Sequence, residues 1–366
     1  MDRTLVCATF LSRLLPAAIL SLKPLFSSFD AASSHPLLRW DALHFLHIAR
    51  EGYVYEHEWA FLPGPAVMLS ILPTSVLAPT IVSLVLAYDM SATMYALSLH
   101  HLRLPSLAKL ATLLSLLPSS PTTLFLAPYS EPFVTYLSYK GMLCCARAQY
   151  LGAALLFTLA ACFRSNGFLL SGFIIWDLVA APVLTYKSLV WFSVLKCVPL
   201  AALPLIPFIT HNLAAYTAFC SAPPPAEWCT RRVPMIYSYV QHKYWNVGFL
   251  RYWTLEQLPN MIIALPPLLA ISVFSLHTLF SGKTRSLFSQ ASLAPHAIHG
   301  LIMCLILAFA SHTQIVLRLA ASMPITYWAA AWLVVEHPRW GRAWVTWSVI
   351  WGGLSTLLWA AFLPPA

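Results

Sequence analysis

Apolar residues run through this chain in long blocks, broken at short intervals by charge, proline and glycine. A helix needs about 20 consecutive apolar residues to cross a bilayer. By that measure the pattern predicts about eleven helical spans. They fall near residues 5–26, 66–99, 110–127, 132–147, 150–163, 167–183, 188–211, 260–281, 295–312, 319–336 and 342–362. The block 66–99 is too long for one simple span and contains Asp89, while 132–147 and 150–163 are short. The first block, interrupted by Arg13 and Lys23, starts like a signal peptide but has no small-residue cleavage site after it. It is read as the first span, with the N-terminus in the cytosol. The fold class expected is therefore an all-α polytopic membrane protein, with residues 1–366 forming a single multi-span domain.

Composition agrees with the pattern. Of the 366 residues, 59% are hydrophobic and only 9% charged, whereas soluble domains carry roughly 25% charged residues. The formal charge of +9 does not indicate nucleic acid, because helical membrane proteins collect Lys and Arg on the cytosolic side. No basic-aromatic stripe tracks a phosphate backbone. With the N-terminus cytosolic, the cytosolic turns hold Arg103, Lys109, Arg147, Lys187, Lys283, Arg285, Arg339 and Arg342. The same orientation puts Asp30, Asp41, Glu51, Glu56, Glu58, Glu131, Glu227 and Glu256 on the luminal side, eight of the twelve acidic residues. Two luminal segments are long, about 27–65 and 212–259. A carrier would place ionisable groups near the midplane, often in repeated halves. The acids cluster on one face and no repeat is visible, which favours chemistry at that face.

The candidate chemistry starts at Arg39-Trp40-Asp41-Ala42-Leu43-His44-Phe45, followed by Gly52-Tyr53-Val54-Tyr55-Glu56. Asp41 can be read as a helix N-cap or as a general base beside the bilayer. These residues, together with Ala60-Phe61-Leu62-Pro63-Gly64, resemble the first luminal loop of the GPI mannosyltransferase 2 family. Further blocks resemble that family in the same order. They are Ala127-Pro128-Tyr129-Ser130-Glu131, Phe163-Arg164-Ser165-Asn166-Gly167, Pro234-Met235-Ile236-Tyr237-Ser238-Tyr239-Val240-Gln241 with Tyr244-Trp245-Asn246-Val247-Gly248, and His312-Thr313-Gln314-Ile315-Val316-Leu317-Arg318. Departures such as Phe61-Leu62 before Pro63, and Leu319-Ala320-Ala321 after Arg318, sit beside the polar positions and bear on pocket shape.

The resemblance implies a C-type glycosyltransferase (GT-C) architecture in the endoplasmic reticulum membrane. Its donor would be dolichyl phosphate mannose and its acceptor the glycosylphosphatidylinositol (GPI) precursor, with an α-1,6 mannose added in an inverting single displacement. It points to no metal and no cofactor, and to a small accessory membrane subunit in some members. Inversion needs one base and a stabilised phosphate leaving group. Asp41 is the candidate base, a role compatible with capping. His44, three residues on, would share its helix face. Glu56 is a candidate for the acceptor. Arg164 and Arg318, each at the luminal end of an apolar span, are candidates for phosphate, although snorkelling to the interface also explains them. Asn166 and Gln314 would add neutral donors, Tyr129 and Glu131 occupy a tight luminal turn, and Trp245 with Asn246 offers a ring face and an amide for sugar. Cys220 and Cys229 share the second luminal loop in an oxidising compartment, with Pro223-Pro224-Pro225 between them, and the sequence leaves open whether they pair. Two other classes stay open: another dolichol-linked-sugar transferase, and a transporter, flippase or non-catalytic subunit.

Overall fold

The computed structural model describes residues 2–22, 29–30, 35–71, 78–221, 223–280 and 286–364. Lys23, Lys283, Arg285 and part of the 27–65 segment lie outside the described residues. Among those described, every regular element is helical. The first half contains α1 (Arg3–Ser21), α2 (Asp41–Glu51), α3 (Gly64–Ile71), α4 (Ala78–Leu102), α5 (Pro105–Leu114), α6 (Pro121–Phe125), α7 (Glu131–Ala146) and α8 (Tyr150–Phe163). It is followed by α9 (Ser171–Ile175), α10 (Ala181–Tyr186), α11 (Trp191–Ala202), α12 (Ile206–Cys220) and α13 (Ile236–Trp245). The last third contains α14 (Leu258–Phe280), α15 (Ala294–Phe309), α16 (Val316–Leu319), α17 (Pro324–Glu336) and α18 (Pro338–Ala360).

Six helical stretches among the described residues are long and apolar enough to cross a membrane, or seven if the bent pair Thr313–Ser322 and Pro324–Glu336 is one span. Five of the expected spans, 5–26, 167–183, 188–211, 260–281 and 295–312, are recovered among them. The overlong 66–99 block resolves into α3 and α4, which removes the difficulty of a single span. Proline sets many breaks: Pro105, Pro121, Pro324 and Pro338 each occupy the first helical position, where the missing N–H is not needed. The main core joins α4, α5, α7, α8, α14, α15 and α17, with Phe157, Phe274, Trp328 and Met94 fully buried.

The two long polar segments fold over one end of this bundle. The Glu56–Ala60 turn packs against α13, and α2 packs against α3. Trp59, Trp228, Ile236, Tyr239 and Val240 form a separate small core under this cap. Cys220 and Cys229, whose pairing the sequence left open, are joined by a disulfide there. Arg147 follows α7 at the end away from Glu131, about 24 Å along the helix.

Candidate active site

The site lies under that cap, where α2, the start of α7, the turn after α8, α13 and α16 converge. Asp41 is the first residue of α2; the capping position falls on Trp40, whose φ is 52°, and Trp40 makes no side-chain cap. The N-cap expectation is thereby corrected: the Asp41 carboxylate turns to a partner far along the chain. Its Oδ2 accepts from Arg318 Nη2 at 2.9 Å. Arg318 Nε donates to Glu131 Oε1 at 2.7 Å, and Arg164 Nη1 donates to the same oxygen at 2.7 Å. Two carboxylates and two guanidiniums thus form one chain with no net formal charge. Glu131 is 3% exposed and opens α7, where a carboxylate suits the positive end of the helix dipole. Ser130 Oγ donates to its other oxygen.

Tyr129 joins this chain to α2. Its buried hydroxyl accepts from the Asp41 backbone N–H and donates to the Arg39 carbonyl, both at 3.1 Å. The Arg318 guanidinium lies over its ring, 4.9 Å from the centroid. Two glycines explain why their motifs need that residue. A Cβ at Gly167 would lie 2.6 Å from Ala161 Cα, and one at Gly64 would lie 2.7 Å from the Cys162 carbonyl oxygen. Both let loop backbone press onto α8, which fixes Arg164 and the Phe61–Leu62 wall.

A cavity of about 330 Å³ opens beside the charged chain. Asp41, Tyr129, Arg164, Trp245, Gln314 and Arg318 line it, six of the residues singled out from the sequence. Glu131 stands directly behind the two arginines and does not line it. His44 backs the wall, its ring stacked on Phe61 at 5.2 Å. Burial lowers the His44 imidazole from its ordinary value, with Asp41 opposing that shift. Glu56 lies outside, accepting from Lys243 at 3.0 Å and Tyr244 at 2.7 Å, and so ties the first loop to α13. Asn166 sits in the turn Ser165–Leu170, off the lining. Asn246 ends α13 in the left-handed region at φ 52° and accepts from Arg251. His44, Glu56 and Asn246 brace the site from outside the cavity.

Several lining residues were not singled out. Tyr237 and Gln241 face the cavity from α13, with Trp245 on the same side. Their spacing of four was visible, but the segment was treated as loop. His312 lines the wall and bonds the Trp245 carbonyl at 2.7 Å. Glu58, ranked below Glu56 from sequence, is 1% exposed; it accepts from the Val54 and Tyr55 backbone N–H groups and pairs with His47. In a stretch of alternating acids, sequence does not show which one points inward.

A multi-helix membrane protein with an accessible carboxylate, guanidiniums and aromatic faces around one polar cavity has the equipment of a membrane-bound glycosyltransferase. Comparison with known proteins gives the class a family. The profile described as Mannosyltransferase (PIG-V) matches residues 12–366. A protein of Cryptococcus neoformans var. neoformans serotype D named GPI mannosyltransferase 2 is 32% identical, over 98% of this chain and 97% of its own length. A rat protein named GPI alpha-1,6-mannosyltransferase 2 is 32% identical over 82% of this chain and 74% of its own. A Schizosaccharomyces pombe protein named GPI mannosyltransferase 2 is 31% identical over 90% and 73% respectively. The chain belongs to the Mannosyltransferase (PIG-V) family.

Proposed function

We propose that this protein adds the second mannose of the GPI precursor, forming an α-1,6 bond to the first mannose. The donor is dolichyl phosphate mannose, and the reaction takes place on the luminal side of the endoplasmic reticulum membrane. The relatives' names support the acceptor and the linkage, and the acid-rich capped end supports the side. Helices outside those six stretches, among them α7, α8 and α18, complete a GT-C architecture of about eleven spans, with 27–65 and 212–259 as luminal segments. The observation that carries the proposal is Asp41, exposed to the cavity at 30% of its side chain and bonded to Arg318.

In the reaction, the O6 hydroxyl of the acceptor mannose attacks C1 of the donor mannose from the face opposite the phosphate. Asp41 takes the hydroxyl proton. The C1–O bond to phosphate breaks, and its electron pair leaves on dolichyl phosphate. One bond forms and one breaks at C1, so a β-linked donor gives an α-linked product. Arg164 and Arg318 stabilise the charge on the departing phosphate. Gln314 and Tyr129 complete that wall. Glu131 holds both guanidiniums in place. His44, Glu56 and Asn246 support the walls.

The test uses membranes containing the protein, a one-mannose GPI acceptor and dolichyl phosphate mannose. A two-mannose product sensitive to an α-1,6-specific mannosidase is expected. Product made equally well from a nucleotide sugar, with dolichyl phosphate mannose absent and its synthesis blocked, contradicts the proposed donor.

A further inference from the structure

The cavity has two chemically distinct walls. Asp41, Tyr129, Ser130, Arg164 and Arg318 make one, linked by charge-assisted hydrogen bonds. α13 makes the other. Tyr237, Gln241 and Trp245 are spaced by four residues, so they lie in one row along the helix, and all three line the cavity. The row spans about 12 Å. It carries a phenol, an amide and an indole face, but no charge. Phe61 extends it, with its ring 5.8 Å from Trp245 and nearly perpendicular.

This wall is held rigidly from behind. The Tyr237 backbone N–H donates to Asn212 Oδ1 at 3.2 Å, and its hydroxyl shares a hydrogen bond with Ser165 Oγ at 2.6 Å. Ser165 adjoins Arg164, so the Tyr237 end of the row meets the charged wall. At the other end the Trp245 carbonyl is bonded to His312. Lys243 and Tyr244 on the outer side are tied to Glu56. A preorganised row of this kind binds with little ordering cost.

We propose that the α13 row, Tyr237, Gln241 and Trp245 with Phe61, is the acceptor subsite and reads the glycan of the GPI precursor, a proposal that rests on the functional reading above. The donor offers one sugar and an anionic phosphate, which match the charged wall. The acceptor offers several linked sugars, which match an uncharged row longer than a single pyranose ring. Gln241 supplies both a donor and an acceptor group for sugar hydroxyls, and Trp245 supplies an apolar ring face for a pyranose.

The experiment is two-substrate initial-rate kinetics on the full chain in lipid nanodiscs, with Gln241→Ala, Trp245→Leu and Trp245→Phe. Gln241→Ala and Trp245→Leu are expected to raise the acceptor KM about tenfold, equivalent to losing about 1.4 kcal/mol of binding, and to leave the donor KM within about twofold. Trp245→Phe is expected to recover most of the loss, which a general folding defect would not allow. A rise confined to the donor KM, or an unchanged acceptor KM in both Gln241→Ala and Trp245→Leu, overturns the subsite. Wild type that transfers no mannose to the one-mannose acceptor rejects the functional reading itself; wild type that transfers normally while the variants keep its acceptor KM rejects only the α13 assignment.

Discussion

Replacing Glu131 by Gln tests the charged wall at its anchor. Glu131 Oε1 receives two guanidinium hydrogen bonds, both at 2.7 Å, in a side chain that is 2% exposed. Each charge-assisted bond contributes about 1.5–3 kcal/mol, and a neutral amide oxygen keeps roughly half of that. The two bonds together therefore lose about 1.5–3 kcal/mol. Arg164 and Arg318 also face each other with one counter-charge gone, which moves the total toward the about 3–5 kcal/mol typical of a broken buried pair. The assay is thermal unfolding of the purified protein alongside mannose transfer. Glu131→Gln is expected to unfold several degrees lower and to lose most activity. Combining it with Arg164→Gln removes one charge of each sign. The double variant should then lose less than the sum of the two single variants, by about 0.5–3 kcal/mol. A Glu131→Gln protein with wild-type unfolding and activity, or strict additivity in the double variant, refutes the reasoning.

Arg164→Gln is expected to raise the donor KM with little change in the acceptor KM, measured in the same two-substrate assay, because a phosphate loses a guanidinium partner. Reducing the Cys220–Cys229 disulfide reopens a short loop behind α13. That should cost roughly 2–3 kcal/mol by the chain-entropy estimate, seen as a lower unfolding temperature in reductant that Cys220→Ser/Cys229→Ser reproduces. His44 gives a pH signature. Its folded value is depressed below the ordinary 6.5, so the unfolded chain binds the proton first. Stability contributed by neutral His44 is complete above about pH 6.5 and falls as pH drops from there toward the folded value. His44→Gln should flatten that limb of the stability profile.

Much of the site was legible in the sequence because its chemistry-bearing residues sit in polar breaks between apolar blocks. Asp41, Glu131, Arg164 and Arg318 each stood out that way, although Asp41 and Arg318 are 277 positions apart and only the fold shows that they touch. The tertiary partner also decided between cap and carboxylate: Arg318 captures the Asp41 side chain, and Trp40 takes the capping position. The acceptor wall was less visible. Tyr237 and Gln241 belong to a short helix of low amphipathic contrast inside a segment treated as loop, and the aromatic residues around it also suit a membrane interface. Asn246 looked like a sugar ligand because it follows Trp245, but its position requires a left-handed backbone, for which Asn is suited. Span counting was limited by helices such as α7 and α8, at 16 and 14 residues too short for a simple length rule.

The most direct measurement of the central claim is complementation of cells lacking the second GPI mannosyltransferase, comparing wild type with Asp41→Asn. Surface GPI-anchored proteins and the lipid intermediates are read out together. Wild type should restore the surface proteins, while Asp41→Asn, expressed to the same level, should accumulate the one-mannose intermediate. Equal rescue by Asp41→Asn would contradict Asp41 as the base.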